Sequence, residues 1–382
     1  MRIVYFTHSL ASCWNHGNAH FLRGVLRDLV ARGHDVRVFE PEGAWSLRSL
    51  LADHGEAGLS AYRAAYPELS SRTMPAGFDI EAACDGADLV IVHEWNDPAL
   101  VAAAGAARKR GGRFTLLFHD THHRAVSDAA AINAFDLSGY DGVLAFGETL
   151  AAVYRRWGWE GRVFVWHEAA DIRLFHPPVQ EGAPEGAQKG LRAGAVWIGN
   201  WGDGERTEEL ERFLFAPARD AGLPLDIYGV RYPREALATL ERYGIAYKGW
   251  LPNARAPEIF ARHRVTVHVP RRFYVDTLPG IPTIRVFEAL ACGIPLVSAP
   301  WSDAEGLFRP GRDFLFARDG AEMARHLRAV DEDTGLRAEL VRNGLETIRA
   351  RHTCAHRVDE LLAVVETLRG ANKKPVLLES AR

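Results

Sequence analysis

Gly280-Ile-Pro-Thr-Ile-Arg-Val-Phe-Glu-Ala-Leu-Ala-Cys-Gly-Ile-Pro-Leu-Val-Ser-Ala-Pro300 places a carboxylate, Glu288, inside a helix that reads as buried. The helix follows a Gly-Ile-Pro turn, with Pro282 or Thr283 suited to its first turn. It stops at Gly293, a residue suited to the left-handed position just past a helix end. Ile284, Phe287 and Ala291 share one face by helical spacing, and Glu288 lies on its edge. An apolar strand follows at once, which is the signature of an α/β layer structure. Burying a carboxylate without a partner is costly, so Glu288 needs one. A pair of ligand hydroxyls would serve, and so would Arg285, three residues back, in a helix-surface ion pair. Local physics leaves both open.

Outward from this stretch the same rhythm repeats. Strands are expected at 195–198, 225–228, 246–248, 266–269, 294–297 and 313–316. Helices fall between them at 207–215, 233–243, 256–262, 283–292 and 321–330, and helix closes the chain from 335 to 368. The first half shows strands at 3–6, 35–39, 89–92, 114–118, 143–146 and 163–165. Helices are expected there at 18–31, 98–108 and 148–157. Residues 45–78 interrupt the pattern as a mostly helical insertion. Alternation of this kind implies right-handed crossovers and parallel sheets covered on both faces. Residues 177–194 carry prolines, glycines and polar residues with no apolar period, and read as a linker. The expected architecture is α/β, with two doubly wound Rossmann-like domains facing one cleft: 1–176 before the linker and 195–350 after it.

Composition narrows the class. The chain has 382 residues, more than one ordinary core, with 47% hydrophobic and 25% charged residues, as in soluble globular proteins. A formal net charge of -3 argues against nucleic acid as the main partner. Cys13, Cys84, Cys292 and Cys354 are scattered without metal-ligand spacing, which fits a reducing compartment. The N-terminus, Met1-Arg-Ile-Val-Tyr-Phe-Thr7, reads as a strand and lacks the apolar core and cleavage site of a signal peptide. No apolar run is long enough to span a bilayer, so a cytoplasmic protein without a transmembrane segment is expected.

In open parallel sheets, ligands bind beyond the carboxyl ends of the strands, and that rule selects a few loops. Thr7-His-Ser-Leu-Ala-Ser-Cys-Trp-Asn-His-Gly-Asn18 follows the first strand, with His8, His16, Gly17 and Asn18 before a helix start. Such an end offers backbone N–H groups to an anion or an acceptor, although Asn18 could simply cap the helix. Phe118-His-Asp-Thr-His-His-Arg124 presents His119 and Asp120 as acid/base or sugar-contacting groups, or Asp120 as a cap. Its histidines lack distant partners to complete a tetrahedral site, so no metal is expected. His93-Glu-Trp-Asn-Asp97 and His167-Glu168 stand at two further strand ends. In the second half, Ile198-Gly-Asn-Trp-Gly-Asp-Gly-Glu-Arg206 joins strand to helix. Its Gly199-Asn200 turn would let backbone approach a diphosphate, with Arg231 supplying charge. Arg271, Arg272 and Arg285 are further cations.

Together these residues resemble the GT-B glycosyltransferases, and among them the CgeB-like group related to glycosyltransferase families 1 and 4. The Gly280–Pro300 stretch is similar to the donor-binding helix of those enzymes. Glu305-Gly-Leu-Phe-Arg-Pro-Gly-Arg-Asp-Phe-Leu-Phe316 is similar to the following loop and strand. His352-Thr-Cys-Ala-His-Arg357 is similar to the start of a C-terminal helix that recrosses to the first domain. The resemblance implies hexosyl transfer from a nucleotide-sugar co-substrate, with no other cofactor and no metal. The acceptor would be a cell-surface glycan, a lipid-linked glycan, a protein or a small metabolite. It makes 1–176 the acceptor side, 195–350 the donor side, 351–370 the recrossing helix and 371–382 a tail. Glu288 would bind the donor ribose; Arg285, Thr283, Arg231, Gly199 and Asn200 would surround the rest of the donor. His119 matches a histidine that touches the donor sugar in related enzymes. Many retaining relatives carry two glutamates eight residues apart, and here the earlier position is Gly280. Retention is favoured, and inversion with Asp120 or His16 as base is the alternative. A nucleotide-sugar 2-epimerase and a non-catalytic sugar-binding or coat-assembly protein are the competing readings.

Overall fold

The computed structural model describes residues 1–15, 17–178, 193–202 and 204–372. Residues 179–192 of the expected linker and 373–382 of the expected tail lie outside them, as does His16. The N-terminal strands are β1 (Arg2–Phe6), β2 (Asp35–Pro41), β3 (Ser71–Met74), β4 (Leu89–His93), β5 (Thr115–Asp120), β6 (Gly142–Ala145) and β7 (Val163–Val165). They form one sheet in the order β3-β2-β1-β4-β5-β6-β7, parallel throughout. β8 (Ala195–Ile198), β9 (Leu225–Tyr228), β10 (Ala246–Tyr247), β11 (Val265–His268), β12 (Leu296–Ser298) and β13 (Leu315–Phe316) form a second parallel sheet in the order β10-β9-β8-β11-β12-β13. In both, the strand order reverses beside the first strand of the sheet. That is the doubly wound arrangement, and two such units make the GT-B fold.

The central strands β4 and β5 are buried along their whole length, which is why they read as continuous apolar runs. The helix α1 (Asn18–Ala31) covers one face with Phe21, Leu22, Val25, Leu26 and Leu29, all at most 1% exposed. Gly33, at φ 79°, closes its end. The interruption at 45–78 holds a helix, α2 (Trp45–Ala65), but also the edge strand β3, which the sequence reading missed. Ser71-Arg-Thr-Met74 is polar and half exposed, so no alternation marks it as a strand.

The decisive helix of the second half is α3 (Ile284–Ala291), entered from Thr283 in extended backbone without a side-chain cap and closed by Gly293 at φ 65°. The single helix expected over 335–368 is instead two, α4 (Thr334–Arg351) and α5 (Cys354–Asn372). They part at His352 and Thr353 because the backbone there pairs with the first half of the chain. Ala170 N–H donates to the His352 carbonyl at 3.1 Å, and Cys354 N–H donates to the Ala170 carbonyl at 3.0 Å. After this crossing, α5 runs along α1, with Cys354, Val358, Leu361 and Val365 packed into the cluster that holds Phe21 and Val25.

Gly24 lets α1 and α5 approach. A Cβ there would lie 2.5 Å from Cys354 Sγ and 2.8 Å from Asp171 Cβ. Gly24→Ala is therefore expected to destabilise the protein by about 1–3 kcal/mol through overpacking, despite the better helix propensity of alanine. Urea denaturation checks this, and Cys354→Ala in the same chain should recover part of the loss.

Candidate active site

The carboxyl ends of both sheets meet at one cavity of about 640 Å³. From the first sheet come His8, Gly17 and Asn18 after β1, Thr121 and His122 after β5, and Glu168 after β7. From the second come Gly199 and Asn200 after β8, Arg231 after β9, Arg271 after β11, and Thr283 with Arg285 at the start of α3. Tryptophans 14, 45, 95, 197 and 250 form much of the wall.

Glu288 does not line the cavity. It lies just beneath, 1% exposed, with every approach taken by protein. Arg285 Nη1 donates to Oε2 at 2.6 Å, Asn253 Nδ2 donates to Oε1 at 3.0 Å, and His20 Nδ1 lies 3.1 Å from Oε1. Burial pushes this carboxyl up, but Arg285 and His20 outweigh it and hold it below the ordinary value. The His20 imidazole is raised in return: burial lowers it, and the Glu288 charge overcomes that. Of the two partners weighed for Glu288, the structure thus shows the arginine. A ribose hydroxyl would reach the carboxylate only by displacing Arg285 or Asn253. Gly280 sits at φ 99°, where a side chain is strained, and its Cβ would press on Ala304 at 3.3 Å. A glutamate is thus disfavoured at 280 by the backbone itself.

His119 and Asp120 are also brought close without reaching the cavity, and both are fully buried. His119 Nδ1 pairs with the Tyr5 hydroxyl at 2.5 Å, and burial lowers the imidazole to about 3, leaving it neutral. Asp120 accepts from Tyr154 Oη at 2.7 Å and from His122 N at 3.0 Å, and burial raises it to about 6. Glu94, paired to Arg124 at 2.9 Å, is raised by burial and then by the charge of Asp120.

In the second half, two close approaches require glycine. A Cβ at 199 would lie 2.6 Å from the Trp197 ring, and one at 229 would collide with the Gly199 carbonyl. Asn200 Oδ1 accepts from Val230 N at 3.1 Å, while its Nδ2 bonds Asn15 Oδ1 across the cavity. Arg206, stacked 5.0 Å over Trp197, donates to the Asn200 carbonyl at 2.7 Å. Arg231 holds φ 60°, the only positive value at a non-glycine residue among the described residues, and its guanidinium lies 5.6 Å from the Trp45 ring. Left-handed backbone at an arginine is strained, and such strain clusters at ligand sites.

Glu168 is the group whose weight the sequence concealed. His167-Glu168 was visible as a strand end, but not that Glu168 faces the cavity while accepting the Ile284 N–H at the start of α3. Burial raises it to about 8, with the neighbouring Glu288 charge adding to the effect. At neutral pH Glu168 is a protonated carboxyl, able to donate a hydrogen bond into the cavity. Cys13, which lies within the selected Thr7–Asn18 loop, and His20, just beyond it on α1, were not singled out; both line the cavity.

Comparison with known proteins agrees with this geometry. Residues 17–174 match the model of glycosyltransferase family 4, and residues 206–363 match a glycosyl transferase-like model. No curated protein is similar in sequence at a significant level. Among solved structures, Anabaena HepE in complex with UDP and glucose is 14% identical with a TM-score of 0.67, over 96% of this chain and all of that one. Sucrose-phosphate synthase from Thermosynechococcus elongatus is 15% identical with a TM-score of 0.63, over 97% of this chain and all of that one. The T4 phage β-glucosyltransferase is 12% identical with a TM-score of 0.57, over 96% of this chain and all of that one. By the two models that match its halves, the chain is a glycosyltransferase, and its fold is GT-B. Among the described residues no helix is long and apolar enough to cross a membrane.

The raised Glu168 sets a pH dependence. In the folded protein it stays protonated up to about pH 8, whereas unfolded it loses its proton near the usual 4.5. Between those values the folded state binds more protons, so stability from this group falls as pH rises. Glu168→Gln, which mimics the protonated form, should flatten that decline and be more stable than wild type at pH 8. Urea denaturation from pH 5 to 8 checks it; parallel curves for the two proteins would place an ionised carboxylate at 168.

Proposed function

We propose that this glycosyltransferase moves a hexosyl group from a UDP-sugar to an acceptor held on the side of the first sheet. The observation that carries the reading is the convergence of strand ends from both sheets on one cavity, with arginines and close-packed glycines on the β8–β9 side. UDP is favoured because HepE and the T4 enzyme are described with UDP or UDP-glucose. The CgeB-like grouping is kept as part of the proposal, resting on the Gly280–Pro300 stretch.

In this reading the diphosphate lies against the Gly199-Asn200 turn, with Arg231 and Arg285 supplying charge. Fixed positive groups stabilise a leaving diphosphate as its negative charge develops, which does not require a metal ion. Thr283 faces the donor from the start of α3. Glu288 acts through Arg285, which it holds at 2.6 Å on the cavity floor. The loop carrying His8, Gly17 and Asn18 meets the acceptor or the phosphates, and the Glu168 carboxyl donates a hydrogen bond to a sugar hydroxyl. Neutral His119 supports the sugar end through Trp166 and Tyr5, to which it packs. Retention is preferred over inversion, because Asp120 is fully buried and bonded to Tyr154 and so is poorly placed to take an acceptor proton.

A thermal-shift panel of UDP-, GDP-, TDP- and ADP-sugars tests the donor, and a UDP-sugar is expected to raise the melting temperature. Arg231→Gln should weaken that binding about tenfold, the scale of one charge-assisted contact at about 1.4 kcal/mol. Release of UDP only when an acceptor is present would separate transfer from epimerisation. A panel with no binder would overturn the proposal.

A further inference from the structure

The turn after β4, His93-Glu-Trp-Asn-Asp97, takes no part in the donor contacts, yet its Trp95 lines the cavity and is 41% exposed. Leaving that much indole in water is unfavourable. The protein nevertheless fixes the ring there. Asn96 is buried, and its Nδ2 donates to the Phe6 and His93 carbonyls, both at 2.9 Å. Asp97 caps the helix that follows, accepting from Ala99 N at 2.8 Å. Against the indole itself stands Arg124, whose Cζ lies 4.5 Å from the ring centroid. Arg124 is held in turn by the wholly buried Glu94: its Nη1 donates to the carboxylate at 2.9 Å and to the Glu94 carbonyl at 3.2 Å. A buried ion pair adds little net stability, so its effect here is to place a cation against an aromatic ring and orient that ring.

Two histidines flank the exposed indole. The rings of His8 and His122 lie 6.4 and 5.2 Å from it, centroid to centroid, and both line the cavity. His122 Nδ1 has no hydrogen-bond partner among the described residues. Burial, and then the neighbouring His123 and Arg271, hold the His122 imidazole well below its ordinary value, so it is neutral. A neutral imidazole has one donor and one acceptor, the two functions that a hydroxyl can meet.

We propose that Trp95 is the stacking platform of the acceptor subsite, and that the acceptor is a saccharide whose pyranose ring lies with its C–H face on the indole and its hydroxyls turned to His8 and His122. The inference rests on the reading of the first-sheet side as the acceptor side. A pyranose ring presents C–H groups on its faces and hydroxyls around its edge. An aromatic ring bordered by polar side chains is complementary to both parts. An alkyl chain would instead press against the polar edges of His8 and His122 and strip them of water. Trp95 touches no reacting atom in this arrangement, so its loss acts on acceptor binding and leaves donor binding unchanged.

Saturation-transfer NMR on the whole chain without any donor tests this apart from the transfer reaction. The probes are methyl pyranosides of gluco, galacto and manno configuration, cellobiose and maltose, with phenol and butanol as controls. At least one saccharide should receive saturation, most strongly at the C–H protons of one ring face. Trp95→Ala should weaken that binding at least about tenfold, and Trp95→Phe should retain most of it. Radical footprinting of the wild-type protein should show Trp95 protected by the same saccharide, which decides the matter even if the alanine variant does not fold. The rise in melting temperature with a UDP-sugar should be the same in Trp95→Ala as in wild type. The proposal is overturned if the folded wild-type protein binds no saccharide of the panel, if binding survives Trp95→Ala unchanged, if Trp95 is not protected, or if only phenol or butanol binds. Failure of every UDP-sugar to bind would overturn the donor reading instead.

Discussion

One carboxylate ties the two sheets together. Glu288, on α3 of the second, meets His20 on α1 of the first and is closed off by Arg285 and Asn253. A buried ion pair adds little net stability, but removing one partner leaves an uncompensated charge at a cost of about 3–5 kcal/mol. Such a group works as a constraint: only one placement of α1 against α3 keeps it satisfied. That placement puts the start of α3 opposite the loop after β1 and so fixes the mouth of the cavity. The recrossing at His352 and Thr353, bonded to Ala170, holds the same arrangement from the other side.

The charge on Glu288 is felt along a line of titratable groups. It adds to the burial that raises Glu168, which becomes a neutral carboxyl on the cavity wall. It raises His20 against the effect of burial, so the histidine on α1 and the carboxylate on α3 each favour the charged form of the other. In a low dielectric each member sets the state of the next, which makes a set of side chains from separate segments act together. The cavity therefore presents a neutral carboxyl at Glu168 on the side of the first sheet, with arginines along the β8–β9 edge.

Much of the fold was legible. β7, β8, β9, α1 and the helix at Ala256–Arg262 fall on the residues that periodicity selects, because their apolar spacing and end signals agree. β3 was not legible, since a polar edge strand is marked only by its pairing with β2. The break between α4 and α5 was not either, because the partner that draws those backbone groups away is Ala170, far off in the chain. Within the site, the strand-end rule selected the loops holding His8, Asn18, Gly199, Asn200 and Arg231, all on the cavity. It also selected His119 and Asp120, which the sheet carries one layer too deep.

The Gly280–Pro300 stretch by itself determined a buried helix with a carboxylate that must be paired, running into the strand of a parallel sheet. Those properties follow from spacing, end residues and the cost of burying charge, all of which are local. Which partner the carboxylate takes was decided by tertiary structure, because His20 and Asn253 reach it only once the two sheets are packed. The state of Glu168 was decided the same way. A side chain's charge depends on its distance from other charges and from water, and the chain sets those distances only when it is folded.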